Sequence, residues 1–180
     1  MTTHLALLRA INVSGHNMIK MEALKTMLEN IGFTNVRTYL QSGNVFVDTE
    51  EESASKVGFL IKQEIFKIFG HEVYTIVIKK EDLELCFKNS PFLKEKEVDT
   101  KKLYVAFASV ELKKENINDL KISQFKPDEA SIDGNRIFIK YAVGAGKTRL
   151  EGKYIEKKLN VIVTMRNWNT ITNLLNMYSE

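Results

Sequence analysis

The chain of 180 residues has little of what would announce an activity. It holds a single cysteine, Cys86, which excludes an internal disulfide and fits a reducing compartment. Its three histidines, His4, His16 and His71, lack metal-ligand spacing, and no Ser-His-Asp or Cys-His set stands out. No stretch approaches the apolar length of a membrane span, and the N-terminal MTTHLALLRAINV carries no basic leader before its short apolar run. A cytoplasmic location is therefore the expectation. Nor is there an excess of one charge: the formal net is +3, which does not advertise nucleic-acid binding.

What is present suits one large domain or two small ones. Apolar residues make up 44%, with ten Phe and one Trp, enough to build a core, and charged residues make up 27%. The charge is unevenly spread. Residues 1–135 carry 18 Lys/Arg against 20 Asp/Glu, whereas in 136–168 eight basic residues face only Glu151 and Glu156. That local excess would be felt by an anionic partner, or it is a solvated helix face.

Hydrophobic periodicity orders the elements. His4–Val13 reads as a strand. Met21, Leu24, Met27, Leu28 and Ile31 have helical spacing, with Gly32 as the stop. Val36–Gln41 and Val45–Asp48 are strands around Ser42-Gly43-Asn44, a hairpin signal. After Ser53 a second helix carries Val57, Leu60, Ile61, Ile65, Ile68 and Phe69 on one stripe and ends at Gly70; Glu72–Ile78 is a fourth strand. Lys80–Asn89 is a trailing helix whose Leu83, Cys86 and Phe87 share a face, so Cys86 reads as core rather than nucleophile. Pro91 stops it, and the charged stretch to Lys102 reads as a linker. The pattern then repeats: strand Leu103–Ser109, short helix Lys113–Leu120, strands Ala130–Asp133 and Arg136–Tyr141 around Asp133-Gly134-Asn135, helix Glu151–Leu159, strand Val161–Val163 and helix Asn167–Tyr178. The expected fold is α+β: two ferredoxin-like α/β-plait (βαββαβ) subdomains with antiparallel sheets, in residues 1–90 and 103–180, joined by a linker at 91–102, with a helix appended at the C-terminus.

One stretch looks like nucleotide chemistry. Val143-Gly144-Ala145-Gly146-Lys147-Thr148 ends like a phosphate-binding loop opening a helix. The first glycine of that motif should fall at position 141, which is Tyr141, and the context is an antiparallel sheet rather than a parallel one. No apolar strand ending in Asp follows to hold magnesium. A P-loop NTPase is therefore not expected, though a glycine-rich loop can still receive an anion.

Topology adds juxtapositions. In a plait of strand order 4-1-3-2, the segment Asn12–Asn17, the hairpin tip Gln41–Asn44 and Gly70-His71 gather at one end of the sheet. The bland alternative is that Gly, Asn and Ser are simply good turn residues. In the second half the same rule gathers Ala142–Arg149 with Thr164-Met165-Arg166, so Lys147, Arg149 and Arg166 are expected in one basic cluster. Trp168 leads an apolar stripe through Ile171, Leu174, Leu175 and Tyr178 and reads as a core anchor, with Thr164 a candidate cap for that helix.

Three separated segments, LLRAINVSGHNMIKM, YLQSGNVFV and TMRNWNT, resemble the bacterial family named domain of unknown function 1697, over about Leu5 to Tyr178. The resemblance implies two α/β-plait subdomains and no assigned activity. It also implies that the Val143–Thr148 region is a glycine-rich, often basic segment rather than a P-loop.

The expected role is binding of a small anionic or nucleotide-like ligand, without a cofactor or metal. The candidate ligand-binding residues are Arg9, Asn12, Gly15, Asn17, Gln41, Ser42, Gly43, Asn44, Lys147, Arg166 and Asn167. An RNA-binding module is the alternative: Ser42–Val47 lies where the third-strand signature of an RNA-recognition plait would fall, but the basic first position and a first-strand aromatic are missing. For an enzyme, His16 and His71 are the one acid–base pair that topology offers. A protein-interaction role stands beside these, and the sequence names no oligomeric partner.

Overall fold

The structure, a computed structural model, describes residues 1–178, so the last two residues of the expected second domain lie outside it. The chain divides into two compact units, Met1–Lys80 and Glu81–Glu180. The division falls after the first residue of the helix Lys80–Asn89, which the periodicity assigns to the first unit.

The first unit contains β1 (Thr2–Leu8), α1 (Met21–Asn30), β2 (Thr34–Tyr39), β3 (Asn44–Thr49), α2 (Ala54–Phe69) and β4 (Thr75–Ile78). Its sheet has the order β2-β3-β1-β4 with every pair antiparallel. The helices follow from their sequence. Leu24, Met27 and Leu28 form the buried stripe of α1, and Gly32, at φ +95°, turns the chain and donates its N–H to Glu29 O at 3.1 Å. The Ser53 Oγ accepts the Lys56 N–H at the start of α2, and Gly70 closes it in the left-handed conformation. Helix α2 approaches β4 at Gly58, where an added Cβ would stand 3.1 Å from Thr75 O. That contact sets the rotation of the helix. Leu60, about 200° further round, is turned out and 43% exposed, and Ile68 is exposed too, so the expected stripe keeps Val57, Ile61 and Ile65 buried and Phe69 partly so.

Strand β1 is shorter than its apolar pattern predicts. It stops at Leu8, because beyond it Ala10, Asn12, Ser14, Gly15 and Asn17 all have positive φ, which extended pairing does not accommodate. Ile11 and Val13 imitate a continuing strand; Ile11 is buried in the core, whereas Val13 is exposed. Both faces of β1 are buried, Ala6 and Leu8 within the main core cluster and Leu5 and Leu7 on the alternate face.

The second unit contains α3 (Lys80–Asn89), β5 (Leu103–Ala108), β6 (Glu129–Asp133), β7 (Arg136–Lys140), α4 (Gly152–Leu159), β8 (Val163–Asn167) and α5 (Trp168–Met177). Its sheet, β6-β7-β5-β8, is also antiparallel throughout. Residues 91–102 hold two short 3-10 turns, Phe92–Lys94 and Thr100–Lys102. The helix expected at Lys113–Leu120 is replaced by 3-10 turns at Lys114–Asn118 and Ile122–Phe125. Local side chains compete with the α-helix there: Asn116 Oδ1 accepts the Lys113 N–H, and Asn116 Nδ2 donates to Asp119. Cys86 is buried with its thiol donating to Asp82 O, and burial pushes its pKa up to about 12, which suits packing and not nucleophilic chemistry.

Candidate functional site

At one rim of the first sheet, topology does what the strand order predicts. The Asn12 Nδ2 donates to Gln41 O at 2.9 Å, joining the segment after β1 to the β2–β3 hairpin tip. The same nitrogen donates to Ile19 O at 2.9 Å, and Asn12 Oδ1 accepts the Ile19 N–H at 2.8 Å. Asn17 Nδ2 donates to Ala10 O, and Asn44 Nδ2 donates to Tyr39 O and Ser42 Oγ. Gly43 is buried at φ +75°, donates to Leu40 O, and accepts the Leu8 N–H. A Cβ added there would lie 2.6 Å from Ile11 Cδ1 and 2.7 Å from Leu8 Cβ, so only glycine fits beneath the loop. Arg9, half-buried, sits just past β1 with its N–H on Tyr74 O, which brings the α2–β4 connection to the same rim. Gly15 is at the exposed tip, with open space around it.

The carboxamide N–H groups of Asn12, Asn17 and Asn44 thus donate within this loop cluster. The arrangement is a clip that staples two loops, and five positive-φ residues between Ala10 and Asn17 are held by it. Among the described residues no hydrogen bond or ion pair joins His16 to His71, and no group of three His, Cys, Asp or Glu side chains is placed to hold a metal. Phe46, the aromatic of the RNA-like stretch, is fully buried with the Arg37 guanidinium 4.9 Å from its ring centre, so no base reaches it.

A different arrangement is found in the second unit. The segment after β7 and the segment entering β6 meet at one rim, because Lys140 pairs with Glu129 across the ladder. Between them is a cleft of about 420 Å³, walled by Gln124–Asp128 on one side and Val143, Gly144 and Lys147–Arg149 on the other. The glycine-rich segment is pinned at its ends. The Tyr141 N–H donates to Lys102 O at 2.9 Å, its buried hydroxyl donates to Leu150 O at 2.6 Å, and Ala142 N–H donates to Asp128 Oδ1 at 2.9 Å. Burial raises the Tyr141 phenol above its ordinary pKa and keeps it a donor. The residue that breaks the P-loop pattern is therefore the strut of this loop. Gly144 takes φ +109°, and within the loop Lys147 N–H bonds Gly144 O at 3.1 Å. The helix does not open at Lys147-Thr148 as the motif suggests; α4 starts at Gly152, after Leu150 has been drawn into the core.

Lys126, Lys147 and Arg149 line this cleft, all exposed, and none makes an ion pair among the described residues. One carboxylate, Asp128, is buried in its wall. Arg166 is not part of it. It lies within β8, paired with Val105, and its guanidinium donates to Thr164 Oγ1 and Met165 O, both at 2.8 Å. Side chains alternate along a strand, and Met165 packs on the α4-side core, so Arg166 points to the other face. Burial lowers its pKa to about 10. Arg166 lies away from the expected basic cluster because β8 runs to Asn167, past the Val163 end that its apolar residues predict. Asn167 in turn caps α5, accepting the Thr170 N–H at 2.8 Å, a role the sequence suggests for Thr164. Lys147 and Arg149 therefore line one cleft, and Lys126 replaces Arg166 as their companion. Lys126 was legible only by extending the end-of-sheet rule to the segment entering β6.

The fold is that of a mixed α+β protein built on two four-stranded antiparallel sheets, each carrying helices, with a C-terminal helix. The chain belongs to the family described as protein of unknown function DUF1697, whose pattern it matches over residues 1–138. A solved structure, described as a conserved bacterial protein from Streptococcus pneumoniae, is similar over 98% of both chains with a TM-score of 0.67 and 22% identity, a likeness of fold. No curated protein matches the chain. Among the described residues no helix is long and apolar enough to cross a membrane.

Proposed function

We propose that the protein binds a small anionic ligand, and that the second unit's cleft receives it. One observation carries the reading: Lys126, Lys147 and Arg149 line one 420 Å³ cleft without an ion-pair partner among the described residues. Some cations elsewhere are paired, as Lys140 is with Glu95 and Glu129 and Arg136 with Asp82 and Asp133, so the glycine-rich loop beside the cleft is the second support for placing the anion there. Three like charges around a concavity repel one another and are relieved by an anion, and a phosphate accepts charge-assisted bonds from all three. The polar loop of the first unit supports this reading less, since its donors hold its own backbone.

The test is calorimetric titration of the full chain with inorganic pyrophosphate at low salt, beside the double variant K147A/R149A. Binding that weakens with salt and disappears in the variant supports the assignment. Equal binding by both proteins, or none by either, rejects it.

A further inference from the structure

Resting on that reading, we infer that the anion bound in the cleft is a nucleoside phosphate, with its ring on the wall formed by Gln124–Pro127. The two walls differ in chemistry. Lys147 and Arg149 supply charge from the glycine-rich side, while the opposite wall sets a carboxamide, an aromatic ring, a cation and a proline ring in four consecutive residues. A bare phosphate would use the cations and leave the Phe125 and Pro127 surfaces wet.

Tyr154 organises that wall. Its ring meets Phe125 edge-on, with centroids 4.8 Å apart and planes at 78°. Its hydroxyl donates to Leu120 O at 2.9 Å and accepts from Gln124 Nε2 at 2.8 Å. The Phe125 ring is thereby held in place, and the amide nitrogen of Gln124 is engaged while its carbonyl oxygen is left as an acceptor. An acceptor next to an aromatic ring suits a flat heterocycle bearing an amino group, as in adenine. The cations then lie where a phosphate tail would follow. A cleft of about 420 Å³ sits in the lower part of the range that small-molecule sites occupy. Side chains held before the ligand arrives lose less freedom on binding.

Affinities of ADP and inorganic pyrophosphate for the full chain, measured by calorimetry, test this. The two share a diphosphate, and pyrophosphate has no nucleoside, so a preference for ADP reports contact with the nucleoside, which the F125L and Q124A variants assign to its ring. ADP should bind at least about tenfold tighter, the ordinary gain from stacking one base. F125L, which keeps apolar contact with Tyr154, should erase that gap. Q124A, at an exposed position, should narrow the gap between ADP and pyrophosphate. Equal affinities in the wild-type protein, or a gap that survives both variants, overturn the nucleoside assignment while the anion site stands. Failure of both ligands to bind overturns the anion site and this inference with it.

Discussion

Gly43→Ala should destabilise the first unit far more than Gly15→Ala, although both glycines have positive φ, +75° and +78°. The backbone cost is shared. An L-residue held in the left-handed region loses about 1 kcal/mol relative to glycine. Gly15 has nothing within 4 Å of an added Cβ, so this is its whole penalty. At Gly43 the new carbon would lie 2.6 Å from Ile11 Cδ1 and 2.7 Å from Leu8 Cβ. The isoleucine tip can rotate, but Leu8 Cβ is fixed to β1, so relief requires the hairpin tip to lift. Lifting it stretches the 2.8 Å bond from Leu8 N–H to Gly43 O. Overpacking of this kind adds about 1–3 kcal/mol, for a total of about 2–4 kcal/mol. Urea unfolding followed by far-ultraviolet circular dichroism measures both variants against the parent. A Gly43→Ala loss no larger than that of Gly15→Ala would refute the close packing of tip against strand.

The remaining predictions concern the clip, the strut and one carboxylate. N12A removes the bonds to Ile19 and to Gln41 O and should cost about 2 kcal/mol in the same assay, with faster hydrogen exchange at Ile19. Y141F deletes the 2.6 Å bond to Leu150 O at constant ring packing; about 1 kcal/mol is expected, together with weaker pyrophosphate binding by a loosened loop. Asp133 is held below the ordinary carboxylate range by the hydrogen bond from Asn89 and then by Arg136. Its folded pKa lies below its unfolded one, so its contribution is present above the unfolded value, about 4, and lost as pH falls through the folded one. Unfolding midpoints should therefore fall less steeply on acidification in D133N than in the parent.

Much of the fold was readable because its determinants are local. Gly32, Ser53 and Gly70 mark helix ends by backbone geometry and capping, and the observed α1 and α2 boundaries follow them closely. The strand order follows from connection lengths and antiparallel pairing, and both sheets keep it. Misreadings occurred where tertiary context overrode pattern. Ile11 is apolar because it lies under a hairpin tip and not because the strand continues. Arg166 is polar yet inside β8, since its guanidinium finds Thr164 Oγ1 and Met165 O where hydropathy alone expects an exit to solvent. Leu60 fits the stripe of α2 by type, but Gly58 sets the rotation.

Legibility of the site failed for a different reason: residue type reports hydrogen-bonding capacity, not whether that capacity is already used. The Asn- and Gly-rich loop of the first unit looks more like a binding site than the Lys126–Arg149 cleft does. Yet left-handed residues at Ala10, Asn12, Ser14 and Asn17 expose backbone groups that extended pairing would have satisfied, and the asparagines are there to satisfy them. Such a loop needs its own donors. The Val143–Arg149 loop needs fewer, because Tyr141 and Asp128 pin its ends from the core side. Among the described residues Lys147 and Arg149 make no ion pair. Two copies of one strand order thus differ in where the loop's hydrogen bonds come from, and the cleft proposed for an anion lies at the rim whose loop is pinned by Tyr141 and Asp128.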